Sequence, residues 1–209
     1  MSTVYNIRGT NGSGKTTLAR AFLPAAGGRV DLNWYDSPTK RDPSRRLRVP
    51  GYINSIPGDR VGLIGSYATP TGGLDTVPSF PIQQAAIAYM LENLKVEHVI
   101  AEGILSSTVF GSWADFDLSL MDLGRHHFAW VYLQTPIELC LERIAARQRA
   151  AGRERPIKEE LVRDKVKAVA ATRTKALAAG RLVYDLPVGG EENALRAIMR
   201  GEGEVWRGQ

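Results

Sequence analysis

One short segment near the start of the chain constrains its fold more than any other feature. Residues 9–16 read GTNGSGKT, which is the phosphate-binding (Walker A) pattern of glycines, lysine and threonine at fixed spacing. A strand-like run, residues 4–7, precedes this segment, and a helix-forming run, residues 17–23, follows it. A strand, a glycine-rich loop and a helix, in that order, form the context in which the pattern binds phosphate. The sequence therefore predicts a site for a nucleoside triphosphate.

The residue types of this loop predict what each position does. Glycines let successive backbone N–H groups turn toward a phosphate, and the positive end of the helix dipole adds to the attraction. The pattern assigns Lys15 to the β- and γ-phosphates of ATP and the Thr16 hydroxyl to Mg²⁺. The residues that we expect to hold the nucleotide are Gly9, Thr10, Asn11, Gly12, Ser13, Gly14, Lys15, Thr16, Thr17 and, from a later helix, Arg143.

The rest of the chain alternates strand-like and helix-like segments. This order predicts an α/β fold in which a parallel β-sheet is sandwiched by helices. The 209 residues are expected to form one domain, 1–209. Residues 33–60 contain four prolines and are expected to be an irregular, functional loop. The predicted later strands are 61–67, 97–103, 128–133 and 181–186, and the predicted later helices are 81–95, one that begins at Pro136 with Thr135 as its cap, 156–179 and 191–199.

Three carboxylates are candidates for the chemistry of a phosphoryl transfer. Glu102 ends an apolar strand, where α/β proteins bind ligands, so it is expected to hold Mg²⁺ through a water, with an ordinary salt bridge as the alternative. Asp75 follows two glycines and could be the general base or only a cap for the next turn. Asp36 is a rival base because it lies just past the candidate second strand, residues 29–32, beside the aromatic pair Trp34 and Tyr35. That pair could stack on a nucleobase or belong to the core.

An arginine-rich segment, about residues 143–160, is expected to form a lid over the triphosphate. Arg143 and Arg147 are four residues apart and so share one face of a helix. Arg147 would stabilise the negative charge of the transition state, and Gly152 would permit hinge motion. Arginines on a solvated surface are the alternative. The other arginines of the segment are Arg149, Arg153 and Arg155.

The charge of the chain suggests a polyanionic partner. The formal net charge is +5, and Lys and Arg are concentrated in two segments, 40–48 and 143–181. For residues 163–175 a solvated helix face is an equal alternative. The basic residues of the first segment are Lys40, Arg41, Arg45, Arg46 and Arg48.

The apolar runs and the cysteine content predict a cytoplasmic protein. No apolar run approaches the roughly 20 residues that span a bilayer, and the fold is expected to begin by Val4 without a signal peptide. The single cysteine, Cys140, fits a reducing compartment and is expected to be buried in a helix. The pair His126 and His127 has no metal-binding spacing and is assigned no chemistry.

The motifs together resemble the nucleoside and nucleotide kinase branch of the P-loop proteins. The resemblance rests on the run Arg8 to Thr17, on Glu102 at a strand end and on the arginine-rich segment, and it implies the P-loop kinase fold. Thymidylate kinases carry an Asp-Arg-Tyr/His-type run at that strand end, where this chain has Ala-Glu-Gly-Ile at residues 101–104. This departure argues against ordinary phosphorylation of dTMP.

A more specific resemblance is to bacteriophage kinases associated with thymine hypermodification. It rests on residues 64–67 (IGSY), 72–76 (GGLDT) and 101–103 (AEG). The resemblance implies a 5-hydroxymethyluracil DNA kinase, which moves the γ-phosphate of ATP to the hydroxymethyl group of the base in DNA. It also implies that the protein is located in the host cytoplasm if the chain is phage-encoded. The basic segments agree with a DNA substrate, because DNA offers phosphate contacts that a nucleotide lacks.

Two other functions remain open from the sequence. A nucleoside or nucleoside-monophosphate kinase would use the same chemistry on a free acceptor. A nucleotide-dependent switch or an ATPase would transfer phosphate to water, although no water-orienting glutamine stands next to Glu102.

Overall fold

A mixed β-sheet with helices on both faces organises the chain. The computed structural model describes residues 1–56, 58–69, 71–122, 124–153 and 155–202. Within these ranges the sheet has seven strands in the order β2-β3-β4-β5-β1-β6-β7. The strands are β1 (Ser2–Arg8), β2 (Arg29–Asp36), β3 (Arg46–Ile56), β4 (Asp59–Ile64), β5 (His98–Glu102), β6 (His126–Leu133) and β7 (Leu182–Leu186).

Helices connect the strands and cover the sheet. A short 3-10 helix, Leu74–Thr76, lies between β4 and the second α-helix. The α-helices are α1 (Lys15–Arg20), α2 (Phe80–Glu92), α3 (Ile104–Thr108), α4 (Gly111–Asp122), α5 (Ile137–Ala150), α6 (Glu159–Ala178) and α7 (Glu191–Met199).

The alternation of side chains along the central strands builds two cores, one on each face. On β1, Val4 contributes to the core shared with α2, α4 and α6, whereas Tyr5 and Ile7 contribute to the core shared with α1 and α7. Trp113 and Trp130 are both fully buried in the first core. Successive side chains of a strand point to opposite faces of the sheet, so a strand that is covered on both faces contributes to both cores.

The register of the central strands places the predicted site at one edge of the sheet. β1 is parallel to β5 and to β6, and Ile7 lies opposite Glu102. The loop that leaves β1 and the carboxylate that ends β5 therefore meet at the carboxyl edge, where ligands of open α/β sheets bind.

Two expectations about the sheet are wrong. The sheet is not wholly parallel, because β3 is antiparallel to both β2 and β4. Residues 33–60 are not an irregular loop either, because β3 occupies Arg46–Ile56. Of the prolines there, Pro38 and Pro43 lie in the connection between β2 and β3, and Pro50 lies beside a bulge in β2, where a missing N–H is tolerated. Pro57 lies outside the described residues.

The other predicted elements are present with shifts of a few residues at their ends, and α3 and α4 join them. The prediction that Thr135 caps α5 is wrong. The hydroxyl of Thr135 donates to the backbone oxygen of Ser13 at 2.8 Å, and α5 begins without a side-chain cap. Cys140 is buried, as its apolar neighbours predict. Across the described ranges, no helix has the length and apolarity needed to cross a membrane.

Candidate active site

Glycines shape the loop between β1 and α1. Gly12 and Gly14 have φ values of +78° and +102°, a region that other residues rarely adopt. A Cβ atom at Gly12 would lie 2.4 Å from the backbone oxygen of Cys140. The loop thus packs directly on the first turn of α5, and only glycine permits that approach.

Lys15 is buried at the start of α1. Its Nζ atom donates to the backbone oxygens of Gly9 and Thr10, at 2.8 and 2.9 Å. An ammonium group has three donors, so one remains for a ligand. Burial lowers the pKa of Lys15, and the charges of Glu102 and Asp75 oppose that fall.

Two hydroxyl groups of the loop are buried without a partner among the described residues. They are Oγ1 of Thr10 and Oγ of Ser13. Buried hydroxyl groups are nearly always hydrogen-bonded in native proteins. Neither residue lines the cleft, which the loop borders through Asn11, Gly12, Gly14, Lys15 and Thr16, so the loop would hold a polyphosphate through the backbone N–H groups there and through Lys15.

Thr16 and Glu102 bring two oxygen atoms together beside the loop. The Thr16 hydroxyl donates to Oε1 of Glu102 at 3.1 Å, and Glu102 is only 1% exposed. Burial raises the pKa of Glu102 to about 7, although Lys15 and the Thr16 hydroxyl act in the opposite direction. Within the described part of the chain, no group of three or more His, Cys, Asp or Glu side chains could hold a metal ion. One carboxylate and one hydroxyl suit Mg²⁺, which takes few protein ligands and completes its shell with phosphates and waters.

Asp75 caps α3 and also lines the cleft. Its carboxylate accepts from the backbone N–H of Ile104 at 3.0 and 2.9 Å and from that of Leu105 at 3.4 Å. The turn before it is packed tightly, since a Cβ atom at Gly73 would lie 2.6 Å from Oε1 of Glu102. The sequence left open a base or a cap of the following turn for Asp75, and the carboxylate instead caps α3, 29 residues further along the chain.

The short helix α3 is anchored at its other end by a buried arginine. Nη1 of Arg8 donates to the backbone oxygen of Val109 at 3.1 Å, and its guanidinium lies 3.9 Å from the ring centre of Trp130. Burial lowers the pKa of Arg8 to about 10. The hydroxyl of Ser107, within α3, accepts from the backbone N–H of Gly9 at 3.2 Å. The helix is therefore tied to the start of the phosphate loop through Arg8 and Gly9.

Asp36 lies away from the cleft. It ends β2, an edge strand four positions from β1, so roughly 19 Å separate the two strands. Its side chain is 86% exposed and pairs with Arg46 at 3.4 Å. This position contradicts the assignment of Asp36 as a base for this site.

The arginines of the expected lid divide into two groups. Nη1 of Arg143 donates to the backbone oxygens of Ser13 and Gly12, at 3.2 and 3.4 Å, so it braces the loop. Arg147, one turn later, lines the same cleft, whose volume is about 750 Å³. The remaining three, Arg149, Arg153 and Arg155, are not among the residues that line it.

Sequence reasoning missed three charged residues of the cleft. Arg20, at the end of α1, lines it and donates to the backbone oxygen of Tyr67 at 3.1 Å. Glu191 and Glu192, at the start of α7, line it as well. The spacing of Arg20, four residues after Thr16 on one helical face, could have indicated the first of them.

Curated phage proteins resemble the chain along most of its length. The "5-hmdU DNA kinase" of Pseudomonas phage M6 is 34% identical over 194 residues, which cover 87% of this chain and 89% of the relative. The protein of the same name from Pseudomonas phage PaMx11 is 29% identical over 199 residues, 94% of this chain and 96% of the relative. That of Delftia phage PhiW-14 is 29% identical over 177 residues, 85% of this chain and 65% of the relative. No model of a protein family matches the chain.

Proposed function

Because the chain belongs to the 5-hmdU DNA kinase family of phage proteins, we propose that it transfers phosphate from ATP to 5-hydroxymethyluracil in phage DNA, a step in thymine hypermodification. The observation that carries the proposal is the meeting of Lys15, the Thr16–Glu102 pair and Asp75 in one cleft. Because ATP and replicating phage DNA occur together in the host cytoplasm, the proposed location is there.

The nucleotide site of the proposal is the loop 9–17 in a single P-loop kinase domain. The remaining donor of Lys15, which lines the cleft, supports a bound phosphate there. Thr16 and Glu102 would hold Mg²⁺, which supplies neutralising charge to the β- and γ-phosphates when it is bound.

The chemistry is a single displacement. The oxygen of the hydroxymethyl group forms a bond to the γ-phosphorus, the bond from that phosphorus to the β,γ-bridging oxygen breaks, and ADP leaves with the bond's electron pair. The hydroxyl proton passes to a carboxylate. We assign that role to Asp75, since the backbone N–H donors leave lone pairs on its oxygens and Glu102 is engaged with Thr16.

The lid of the proposal is the segment of about residues 143–160. Arg143 braces the phosphate loop from α5, and Arg147 lies one turn further along the cleft. A guanidinium there would stabilise the charge that spreads over the transferring phosphoryl group.

Transfer of labelled γ-phosphate tests the proposal. ATP would be incubated with DNA that contains 5-hydroxymethyluracil, with thymine DNA and with free nucleosides. Label is expected on the modified DNA alone. Lys15→Ala should lower the transfer rate by about 10²–10³-fold, because one donor to the reacting phosphates is lost. Label on free nucleosides alone would indicate a small-molecule kinase, and release to water regardless of acceptor would indicate an ATPase.

A further inference from the structure

The hairpin of β2 and β3 extends past the rest of the sheet. β3 pairs with β4 only from Gly51 onward, whereas its pairing with β2 continues outward to the pair Asp36 and Arg46. Residues 33–50, here called the arm, therefore form a two-stranded ribbon without a third strand. Since β4 ends at the carboxyl edge of the sheet, the arm projects from the edge that carries the cleft.

The two faces of the arm differ in chemistry. Tyr35 and Leu47 lie opposite each other and pack against the core beneath α2. The opposite face carries Trp34, which is 47% exposed, with the guanidinium of Arg48 at 5.5 Å from its ring centre. Arg46 belongs to this outer face, because it lies two residues from Arg48 on the same strand.

The outer face of the arm is continuous with the surface around the cleft. Alternation along β3 puts Arg48, Tyr52 and Asn54 on one side of the sheet. Asn54 donates from Nδ2 to the backbone oxygen of Phe22, just after α1, and Tyr52 contacts Tyr67 with ring centres 5.9 Å apart. The outer face thus lies on the same side as α1, which begins in the phosphate loop.

The cations of the arm are available to a ligand. Lys40, Arg41 and Arg45, in its turn, make no ion pair with any residue that the structure describes. The pairs of Arg46 with Asp36 and of Arg48 with Asp31 are exposed and span 3.4 and 3.8 Å, so they contribute little and can exchange for phosphates.

Helix α6, within the second basic segment, is different, because three of its cations make ion pairs. Arg163 pairs with Glu159 and Lys167 with Asp164 along the helix. Arg173 pairs with a carboxylate of β7. The solvated helix face that the sequence left open for this stretch agrees with these pairs.

We propose that the arm binds the DNA strand beside the reacting base, with its cations on the phosphates and Trp34 stacked on a neighbouring base. The proposal rests on the proposed function, since it takes DNA as the acceptor. Cations that follow a strand together with an aromatic side chain on which bases stack are the means by which proteins hold single strands. Tyr35 and Leu47 are already packed on the core, so Trp34 is the only large apolar side chain that the arm exposes. One aromatic among cations favours nucleic acid over an apolar protein surface.

Neutralising the turn of the arm tests the cations. Lys40→Gln, Arg41→Gln and Arg45→Gln would be combined in one variant, since these side chains hold no contact that folding needs. The matched control is Lys95→Gln, Arg125→Gln and Lys175→Gln, which removes the same charge from exposed positions near the opposite edge of the sheet. Michaelis constants for a long modified DNA and for ATP would be measured from 50 to 200 mM salt.

The arm variant should raise the KM for DNA and leave the KM for ATP unchanged. Each phosphate contact contributes about 0.9 to the logarithmic salt slope, so the increase of KM over this salt range should shrink by up to about 40-fold. The control variant should keep the slope of the original protein. Equal slopes for the two variants, with transfer to DNA intact, would overturn the arm proposal alone. Absence of transfer to DNA by the unaltered protein would overturn the proposed function, and the arm proposal with it.

Replacing Trp34 tests the stacking separately. Trp34→Ala should weaken binding of single-stranded modified DNA by roughly 5- to 150-fold, the range of one lost base stack. Trp34→Tyr keeps a flat aromatic face and should restore most of the affinity. If the alanine variant binds as well as the original protein, Trp34 does not stack on DNA.

Discussion

At the residue scale, the cost of burying charge explains why Lys15 and Glu102 occupy the same cleft. An ion removed from water loses several kcal/mol of solvation unless another charge replaces it. Lys15 is 7% exposed and Glu102 is 1% exposed. The charge of Lys15 opposes the rise that burial causes in the pKa of Glu102, and Glu102 opposes the fall in the pKa of Lys15. Each charge therefore offsets part of the free-energy cost of burying the other where β5 and α1 meet at the cleft.

Asp75 combines a cap and a proposed base, and two substitutions separate them. Asp75→Asn keeps an oxygen for the N–H of Ile104, so stability should change little while turnover falls by about 10²–10⁴-fold, the usual worth of a general base. Asp75→Ala should lose about 1 kcal/mol of unfolding free energy in addition, because the cap disappears. Denaturant unfolding and steady-state turnover of both variants would be compared.

The control for this pair is Asp36→Asn. Asp36 is an exposed carboxylate on the arm, and its loss should leave turnover on a short acceptor near its original value. A normal rate in Asp75→Asn would show that Asp75 is only a cap.

At the element scale, the turn at Gly73, which precedes α2, packs against Glu102 and holds its carboxylate in position. Gly73 has a φ of +64°, and an added Cβ would meet both the backbone oxygen and the carboxylate of Glu102, at 2.5 and 2.6 Å. Gly73→Ala should therefore displace the carboxylate and lower turnover by about 10²-fold, the effect of a misplacement near 1 Å. Gly180→Ala is the matched control, since Gly180 has the same φ and nothing within 4 Å of the added atom.

Gly180→Ala should lose about 1–2 kcal/mol of stability from the strained backbone. Gly73→Ala should lose more, because its ψ of −142° lies outside the left-handed helical region and the added Cβ meets the backbone oxygen of Glu102. Only Gly73→Ala should lose activity, measured as transfer to modified DNA at a temperature where both variants are folded. Equal activity in the two would mean that the turn does not position Glu102.

The elements around the site could be predicted from sequence because their signals are local. The phosphate loop and the strand that ends at Glu102 depend on spacing and on an apolar run. Strand β3 carried a signal too, since Leu47 and Val49 face the core and Arg46 and Arg48 face solvent. Pro50 within the strand, with Pro38, Pro43 and Pro57 on either side, indicated an irregular loop and outweighed this alternation. The place of Asp36 could not be predicted, because it depends on the order of strands in the sheet, which is a long-range property.

At the scale of the whole molecule, the cleft exists only when distant parts of the chain are folded together. α1, β5, α3, α5 and α7 all contribute residues to it, so an unfolded chain cannot bind the nucleotide as the folded one does. Binding that is restricted to the native state adds RT ln(1 + [L]/Kd) to stability. The fold and the nucleotide site are thus linked thermodynamically, and each reports on the other.

Thermal unfolding with a non-hydrolysable ATP analogue measures this linkage. At 100 times its Kd the analogue with Mg²⁺ should add about 2.7 kcal/mol, which corresponds to a rise in Tm of roughly 5–11 °C for a domain of this size. Chelating Mg²⁺ should reduce the rise, because Thr16 and Glu102 would then face the phosphates without a cation. Lys15→Ala should nearly abolish it. A rise that is equal with and without Mg²⁺ would show that the Thr16–Glu102 pair does not hold the metal. Absence of any rise in the unaltered protein would contradict nucleotide binding by the loop.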